Sequence, residues 1–181
     1  MPLRRPRRVL VLGGARSGKS SYAERLLSGE RDVEYVACGR PPGPDDPEWA
    51  DRVALHRARR PSSWRTTETL DLAGVLGPSG PPVLVDCLTT WLAGTMDECG
   101  VWAEETGADE RLAAAVDGLL AAWTSTGRRV VAVSNEVGSG IVPATASGRR
   151  FRDEMGVLNA RVAAASQRVE LLIAGLPQRL R

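Results

Sequence analysis

The chain has 181 residues, of which 43% are hydrophobic, and a formal net charge of +2. That length suits a full α/β core, and no apolar run approaches the roughly 18 residues that a membrane crossing requires. The nearly balanced charge gives no reason to expect a nucleic acid partner. Because Cys38, Cys87 and Cys99 are odd in number and lack metal-like spacing, we expect a protein of the reducing cytoplasm.

Apolar runs and turn residues divide the chain into alternating strands and helices. Residues 9–12 form a continuous apolar run, which is typical of a strand buried on both faces of a parallel sheet. In chain order, the patterns predict a strand over 9–12, a helix over 20–27, a strand over 33–37, a loop over 39–47, helices over 48–60 and 71–76, a strand over 83–86, a helix over 88–96, an exposed insertion over 97–108, a helix over 109–126, a strand over 130–134, a helix over 151–166 and a final strand over 169–173. Such alternation predicts one three-layer α/β domain over residues 1–181, with a mostly parallel sheet.

The loop after the first strand carries a phosphate-binding pattern, G-x-x-x-x-G-K-S, formed by Gly13, Gly18, Lys19 and Ser20. Its glycines let backbone N–H groups point at phosphate oxygens, and the following helix adds its positive N-terminal end. In this motif the lysine reaches the β- and γ-phosphates, and the hydroxyl ligates Mg²⁺. Because a predicted strand and a predicted helix flank the loop, we predict a nucleotide site. Arg16 is either a further cation near the phosphates or a solvated loop residue.

Polar residues follow two further predicted strands. Asp86 ends the strand over 83–86, where it acts either as a Walker-B-like acid or as a cap for the next helix. Asn135 and Glu136 follow the strand over 130–134, and we expect them at the same edge because ligands bind at the carboxyl ends of parallel strands. The signature N-K-x-D is absent from the sequence, which argues against a GTP-driven switch protein.

The only histidine, His56, lies on the predicted helix over 48–60. At about 100° per residue it falls at the edge of an apolar arc, and Arg52, Arg59 and Arg60 flank it. Neighbouring positive charge disfavours the imidazolium, and a neutral imidazole is a competent nucleophile toward phosphorus. The arginines could bind a polyphosphate. These residues leave two roles open for His56. It is either a structural histidine whose hydrogen bonds are satisfied at the edge of the core or a nucleophile, and the residues by themselves favour the structural role.

Together, these residues resemble the bifunctional adenosylcobinamide kinase and adenosylcobinamide-phosphate guanylyltransferase family of cobalamin biosynthesis. The matching segments run in family order over nearly the whole chain: 13–20, 35–37, 51–61, 64–66 with Glu68, 86–90, 135–143, and 151–153 with Gly156 and Asn159. The segment 135–143 is more specific than the phosphate loop. The departures are modest: Cys38 stands where the family often has Thr, Asp86 where some members have Glu, and Ala160 where Gln is common.

The resemblance implies a RecA-like P-loop fold, usually assembled as a trimer, and two reactions. A nucleoside triphosphate, ATP or GTP, first gives its γ-phosphate to the aminopropanol hydroxyl of adenosylcobinamide. A histidine then attacks the α-phosphate of GTP, and the GMP passes to adenosylcobinamide phosphate, giving adenosylcobinamide-GDP. His56 falls on the position of that nucleophile, which reverses the preference stated above.

The resemblance also implies the remaining site residues. Lys19 joins His56 as a catalytic residue, and Ser20 is the Mg²⁺ ligand. GTP is expected to contact Gly13, Gly14, Ala15, Arg16, Ser17, Gly18, Lys19, Ser20, Ala37, Cys38, Gly39, Arg57, Ala58, Arg59, Arg60, Glu68 and Asp86.

Two other functions compete with this one. The first is a small-molecule kinase that uses only the phosphate loop, with His56 structural. The second is a nucleotide-binding assembly protein without catalysis, against which the absent N-K-x-D and the histidine among arginines both count.

Overall fold

The computed structural model describes residues 6–39, 46–58 and 60–181, without the side chains of Glu48, Trp49, Arg52 and His56. In chain order the elements are β1 (Arg8–Gly13), α1 (Lys19–Leu26), β2 (Glu34–Ala37), α2 (Pro47–Ala58), β3 (Arg65–Glu68), α3 (Leu72–Val75), β4 (Val83–Asp86), α4 (Leu88–Glu98), α5 (Ala108–Ser125), β5 (Val130–Asn135), α6 (Ala146–Ala165), β6 (Arg168–Ile173) and β7 (Leu176–Arg179). None of the helices in this part of the chain combines the length and apolar character that a membrane crossing requires.

The strands form one sheet, which in the described residues has seven members in the order β3-β2-β4-β5-β1-β6-β7. Strands β1 to β6 run parallel to their neighbours, and β7 pairs antiparallel with β6. All six parallel strands therefore end at one edge, which we call the carboxyl edge.

Two cores cover the two faces of the sheet, because side chains alternate along each strand. In β1, Leu10 and Leu12 belong to the larger core, and Val9 and Val11 belong to the smaller one. Helices α3, α4, α5 and α6 contribute buried residues to the larger core, and α1 packs on the smaller core through Ala23. The predicted three-layer α/β class with a mostly parallel sheet is confirmed.

Two strands were absent from the sequence prediction. Both β3 and β7 lie at the outer edges of the sheet, and every residue of β7 is exposed. Edge strands bury little apolar surface, so they lack the apolar run that indicates a central strand.

Helix α6 and the segment after α4 also differ from the prediction. Helix α6 begins at Ala146 rather than Phe151, because the Thr145 hydroxyl accepts a hydrogen bond from the Gly148 N–H at 3.1 Å and caps the helix. The insertion predicted to be exposed over 97–108 is exposed over 102–106, but Cys99 is buried in the larger core. The loop predicted over 39–47 lies mostly outside the described residues.

Candidate nucleotide site

The phosphate-binding loop leaves β1 at Gly13 and enters α1 at Lys19. The Ser17 N–H donates to the Gly14 carbonyl at 3.3 Å, which closes a turn, and Gly18 has a φ of 87° immediately before the helix. Glycine adopts this left-handed conformation without the strain that a Cβ would impose. The loop thereby curls around the N-terminal end of α1, and the positive end of a helix dipole attracts anions.

Gly13 is a glycine for a steric reason. A Cβ at this position would lie 2.4 Å from the Ser17 Oγ and 2.9 Å from the Leu172 carbonyl oxygen. Close to Leu172 along the chain, the Gly175 N–H donates to the Ser17 carbonyl at 3.0 Å. The turn between β6 and β7 thus supports the loop from behind.

Lys19 is the only lysine of the sequence, and it is buried, with 8% of its surface exposed. Its ammonium group donates to the Gly14 carbonyl at 3.0 Å, so the side chain folds back across the loop. A compact ammonium group fits this space better than a wide planar guanidinium. The arrangement places one positive charge at the centre of the loop. Arg16, in contrast, is exposed, with a φ of 56°.

Asp86 at the end of β4 faces the start of α1. One carboxylate oxygen accepts a hydrogen bond from the Ser20 hydroxyl at 3.3 Å, and the other accepts one from the Tyr35 hydroxyl at 2.6 Å. The alternative role as a helix cap is not seen, because Cys87 is the N-cap of α4. A hydroxyl beside a carboxylate is a set of hard oxygen donors, the type that Mg²⁺ prefers. Ser20 and Asp86 are therefore the residues that could hold this ion.

Strand register brings further predicted residues to the same edge. Ala37 pairs with Glu68 of β3 on one side and with Asp86 of β4 on the other. The Arg57 guanidinium, at the end of α2, contacts the Glu68 carboxylate at 2.5 Å, and both side chains are largely exposed. The end of α2 is therefore tied to the carboxyl edge of the sheet.

The remaining predicted residues divide into those that are described and those that are not. Ala58 is exposed and Gly39 is half-buried, whereas Cys38 is 3% exposed within the larger core. Burial, with smaller contributions from nearby Cys87 and Asp86, raises the pKa of the Cys38 thiol well above its ordinary value. A nucleotide could reach Cys38 only through its backbone. The His56 side chain and all of Arg59 lie outside the described residues.

Asn135 and Glu136 lie at the carboxyl edge, as the sequence predicted, and there they are beside the phosphate loop. Asn135 pairs with Gly13 across β5 and β1, and the Glu136 N–H donates to the Gly13 carbonyl at 3.1 Å. Behind them, the Asn159 side chain accepts a hydrogen bond from the buried Ser134 hydroxyl at 2.7 Å and donates to the Asn135 carbonyl at 3.0 Å. These bonds tie the end of β5 to α6.

Motif reasoning did not predict the contact between Tyr35 and Asp86. The Tyr35 ring is buried in the smaller core while its hydroxyl reaches Asp86. Burial, reinforced by the Asp86 charge and hydrogen bond, raises the pKa of this phenol above its ordinary value. The signal was a tyrosine within an apolar strand, because a buried phenol requires a hydrogen-bonding partner.

Comparisons with known proteins match nearly the whole chain to one family. Residues 9–180 match the family described as cobinamide kinase / cobinamide phosphate guanyltransferase. The bifunctional adenosylcobalamin biosynthesis protein CobP of Pseudomonas aeruginosa is 40% identical over 181 residues, which cover 96% of this chain and 97% of that protein. The bifunctional adenosylcobalamin biosynthesis proteins CobU of Escherichia coli and Salmonella typhimurium are 36% and 37% identical, each covering 93% of this chain and 96% of theirs.

One solved structure supports the fold alone. An ATPase from a bacterial type III secretion system superposes with a TM-score of 0.58 at 12% sequence identity, over 92% of this chain. The chain spans about half of that protein, 51% of its length.

Proposed function

Because the chain belongs to the cobinamide kinase / cobinamide phosphate guanyltransferase family, we propose that its two reactions share the carboxyl edge of the sheet, with His56 as the nucleophile of the second. The enzyme phosphorylates the aminopropanol hydroxyl of adenosylcobinamide. It then transfers GMP from GTP to adenosylcobinamide phosphate, which gives adenosylcobinamide-GDP in cobalamin biosynthesis.

In the kinase reaction, the phosphate loop positions the donor, ATP or GTP, through its backbone N–H groups. Lys19 supplies the charge that stabilises the transferring γ-phosphoryl group, since positioning and charge neutralisation provide most of the catalysis in phosphoryl transfer. Ser20 and Asp86 would hold Mg²⁺, which neutralises phosphate charge when it is bound. The substrate hydroxyl forms the new P–O bond as the bond between the β-phosphate oxygen and the γ-phosphorus breaks.

In the guanylyl transfer, a nitrogen of the neutral His56 imidazole attacks the α-phosphorus of GTP. A P–N bond forms, the bond to the bridging oxygen breaks, and pyrophosphate leaves. A phosphate oxygen of adenosylcobinamide phosphate then attacks the same phosphorus and releases the imidazole. Splitting one displacement into two requires a protein group that can hold GMP between them.

The observation that carries this proposal is the attachment of α2 to the carboxyl edge. His56 lies in α2 one residue before Arg57, whose guanidinium contacts Glu68 at 2.5 Å, and Glu68 shares its register with Ala37 and Asp86. His56 is also the only histidine of the sequence, so no other imidazole can replace it. We propose that GTP contacts the loop over 13–20, residues 37–39 and 57–60, Glu68 and Asp86.

The test is covalent labelling. GTP labelled at the α-phosphate should label the native protein, and GTP labelled only at the γ-phosphate should not. The adduct should be labile in acid and stable in alkali, as P–N bonds to histidine are. His56→Ala should lose the label and the formation of adenosylcobinamide-GDP while keeping substantial kinase activity.

Three outcomes would contradict the proposal. An acid-stable adduct would mean that a different residue is the nucleophile. Normal formation of adenosylcobinamide-GDP by His56→Ala would exclude the covalent route through this residue. A native protein that phosphorylates the substrate but never takes up the label would be a kinase alone.

We also propose a homotrimer and a cytoplasmic setting. The trimer rests on the family resemblance, and sedimentation of the purified protein tests it. The proposed cytoplasmic location rests on Cys38, Cys87 and Cys99, because all three are free thiols and the cytoplasm keeps thiols reduced.

A further inference from the structure

Tyr35 contacts two parts of the site at once, through two different ends of its side chain. The residue is 2% exposed, and its ring packs among apolar residues of the smaller core. Its hydroxyl emerges at the carboxyl edge and donates to the Oδ2 of Asp86 at 2.6 Å. The opposite oxygen, Oδ1, accepts the hydrogen bond of the Ser20 hydroxyl at 3.3 Å.

The hydroxyl restricts the orientation of the Asp86 carboxylate. A hydrogen bond to an ionised acceptor is short and about twice as strong as one between neutral groups, and the buried ring gives the phenol little freedom to move. With Oδ2 held from β2, Oδ1 is turned toward Ser20 at the start of α1. The Tyr35 hydroxyl and the Ser20 hydroxyl therefore contact opposite oxygens of the same carboxylate.

The face of the same ring supports a guanidinium. The central carbon of Arg60 lies 3.2 Å from the centroid of the Tyr35 ring, in the geometry of a cation–π contact. The Arg60 Nη1 also donates to the Thr66 hydroxyl at 3.0 Å, and its Nε is buried without a hydrogen-bonding partner in the described structure. The guanidinium is thus held at its face and at one corner.

We propose that Tyr35 is a positioning residue for both halves of the site: its hydroxyl sets Asp86 against Ser20, and its ring sets the Arg60 guanidinium for the nucleotide. This inference rests on the roles proposed above for Ser20, Asp86 and Arg60. It predicts that the two effects can be separated, because phenylalanine removes the hydroxyl and keeps the ring, whereas leucine removes both.

The first experiment measures metal binding rather than activity. Mn²⁺, a paramagnetic substitute for Mg²⁺, is titrated by electron paramagnetic resonance into the protein with a GTP analogue that carries a methylene between the α- and β-phosphorus. Guanylyl transfer does not run because the methylene link to the α-phosphorus cannot break. The kinase reaction does not run because no corrinoid is present. Tyr35→Phe should weaken Mn²⁺ binding by about tenfold, as the loss of a partner behind a metal ligand does.

Asp86→Asn is the reference for this titration. If Asp86→Asn binds Mn²⁺ like the native protein, the proposed metal role of Asp86 is wrong. If Asp86→Asn is weakened and Tyr35→Phe is not, the metal role stands and the positioning role of the Tyr35 hydroxyl is wrong.

The second experiment tests the ring through the rate of covalent labelling by α-labelled GTP at saturating metal. Arg60→Met and Tyr35→Leu should each raise the KM for GTP, and Tyr35→Phe should not. The double variant Tyr35→Leu/Arg60→Met should be no worse than the more affected single variant, because the two residues act as one unit. Additive effects, or a raised KM in Tyr35→Phe at saturating metal, would overturn the assignment of the ring.

Loss of the fold would not imitate these results. Tyr35→Phe and Arg60→Met change a hydroxyl and a partly exposed side chain, and thermal unfolding verifies that each variant is folded. A folding defect would lower the fraction of active protein and leave both the metal affinity and the KM of the remaining molecules unchanged.

Discussion

The protein has an arginine–glutamate ion pair at each end of the parallel strands, and the two pairs differ in burial. At the start of β2, Glu34 meets Arg128 at 2.6 Å, with side-chain exposures of 9% and 5%. At the end of β3, Glu68 meets Arg57 at 2.5 Å, with exposures of 44% and 59%. The first pair is enclosed by the fold, and the second is open to solvent.

The buried pair has its polar groups satisfied within the protein. The Arg128 Nε donates to the Pro81 carbonyl at 2.7 Å, and its Nη1 donates to the Val75 carbonyl at 2.6 Å. Glu34 accepts a further hydrogen bond from the Thr67 hydroxyl at 2.8 Å. The exposed Arg65 guanidinium completes this network at 3.1 Å from Glu34, and the network joins β2, β3, the end of α3 and the segments before β4 and β5.

The exposed pair belongs to a region whose polar groups are incompletely paired. Arg57 makes one ion pair, Arg60 has a buried Nε with no partner in the described chain, and Arg16 is exposed in the phosphate loop. The comparison teaches that burial and saturation of hydrogen bonds identify charges that stabilise the fold. We propose that the incompletely paired charges at the carboxyl ends of the parallel strands are the ones that bind a ligand.

The largest effect should come from Lys19, because its charge lies at the centre of the phosphate loop. Lys19→Ala should lower the kcat of the kinase reaction by about 10²–10³-fold, the usual result of removing one group that stabilises transition-state charge. Lys19→Arg should also fail, since a planar head does not fit the loop. Steady-state assays with adenosylcobinamide measure this change, and full activity in the alanine variant would refute the assignment of the loop.

Substitution of Arg128 should reverse this pattern, with loss of stability and no loss of chemistry. Arg128→Met removes the buried partner of Glu34 and leaves it only the Thr67 hydroxyl and the exposed Arg65 guanidinium at 3.1 Å. The free energy of unfolding should fall by about 3 kcal/mol, the lower end of the range for a broken buried ion pair. Urea titration measures this value, and kinase activity well below the unfolding transition should remain close to native.

Arg57→Met is the matched control at the other edge of the sheet. Because its ion pair is exposed, the loss of stability should stay below about 1 kcal/mol. The rate of labelling by GTP should nevertheless fall. Equal losses of stability in Arg57→Met and Arg128→Met would remove the distinction between the two edges.

A smaller effect is expected from Glu68. Glu68→Ala should reduce covalent labelling at limiting GTP by about three- to tenfold, the range expected for one lost hydrogen bond to a guanine edge or a ribose hydroxyl. ATP should not label either protein. Glu110→Ala removes an exposed carboxylate on α5 and serves as the control; undiminished labelling in Glu68→Ala would exclude this residue from the site.

The smallest effect should appear as a pH dependence of stability. Burial alone would raise the pKa of Glu34, but the hydrogen bonds from Arg128 and Thr67, with the charges of Arg128 and Arg65, together lower it below its ordinary value. A carboxylate with a lowered pKa stabilises the folded state above its unfolded pKa, and this stabilisation is lost as the pH falls through the folded value.

Chemical unfolding at a series of acidic pH values measures this dependence. The free energy of unfolding should fall with decreasing pH more steeply in the native protein than in Glu34→Gln. Identical slopes in the two proteins would show that Glu34 contributes nothing to acid sensitivity.

The sequence by itself determined the parts of this protein that depend on neighbours along the chain. The apolar run before Gly13, the glycines of the loop and the helix after Ser20 are local signals, and the structure has the strand, the loop and the helix that they predict. Asp86 could be predicted as the end of a buried strand for the same reason. A parallel sheet then implied that such strand ends meet at one edge.

Only the tertiary structure decided which side chains meet across that edge. The contacts of Tyr35 with Asp86, Arg57 with Glu68 and Glu34 with Arg128 join residues on different elements, and their pairing depends on strand order and register. The edge strands β3 and β7 also appeared only in three dimensions, because their pairing comes from backbone hydrogen bonds, which require no apolar pattern in the sequence. No local pattern encodes such distances, since a shift of one residue in register turns a side chain to the other face.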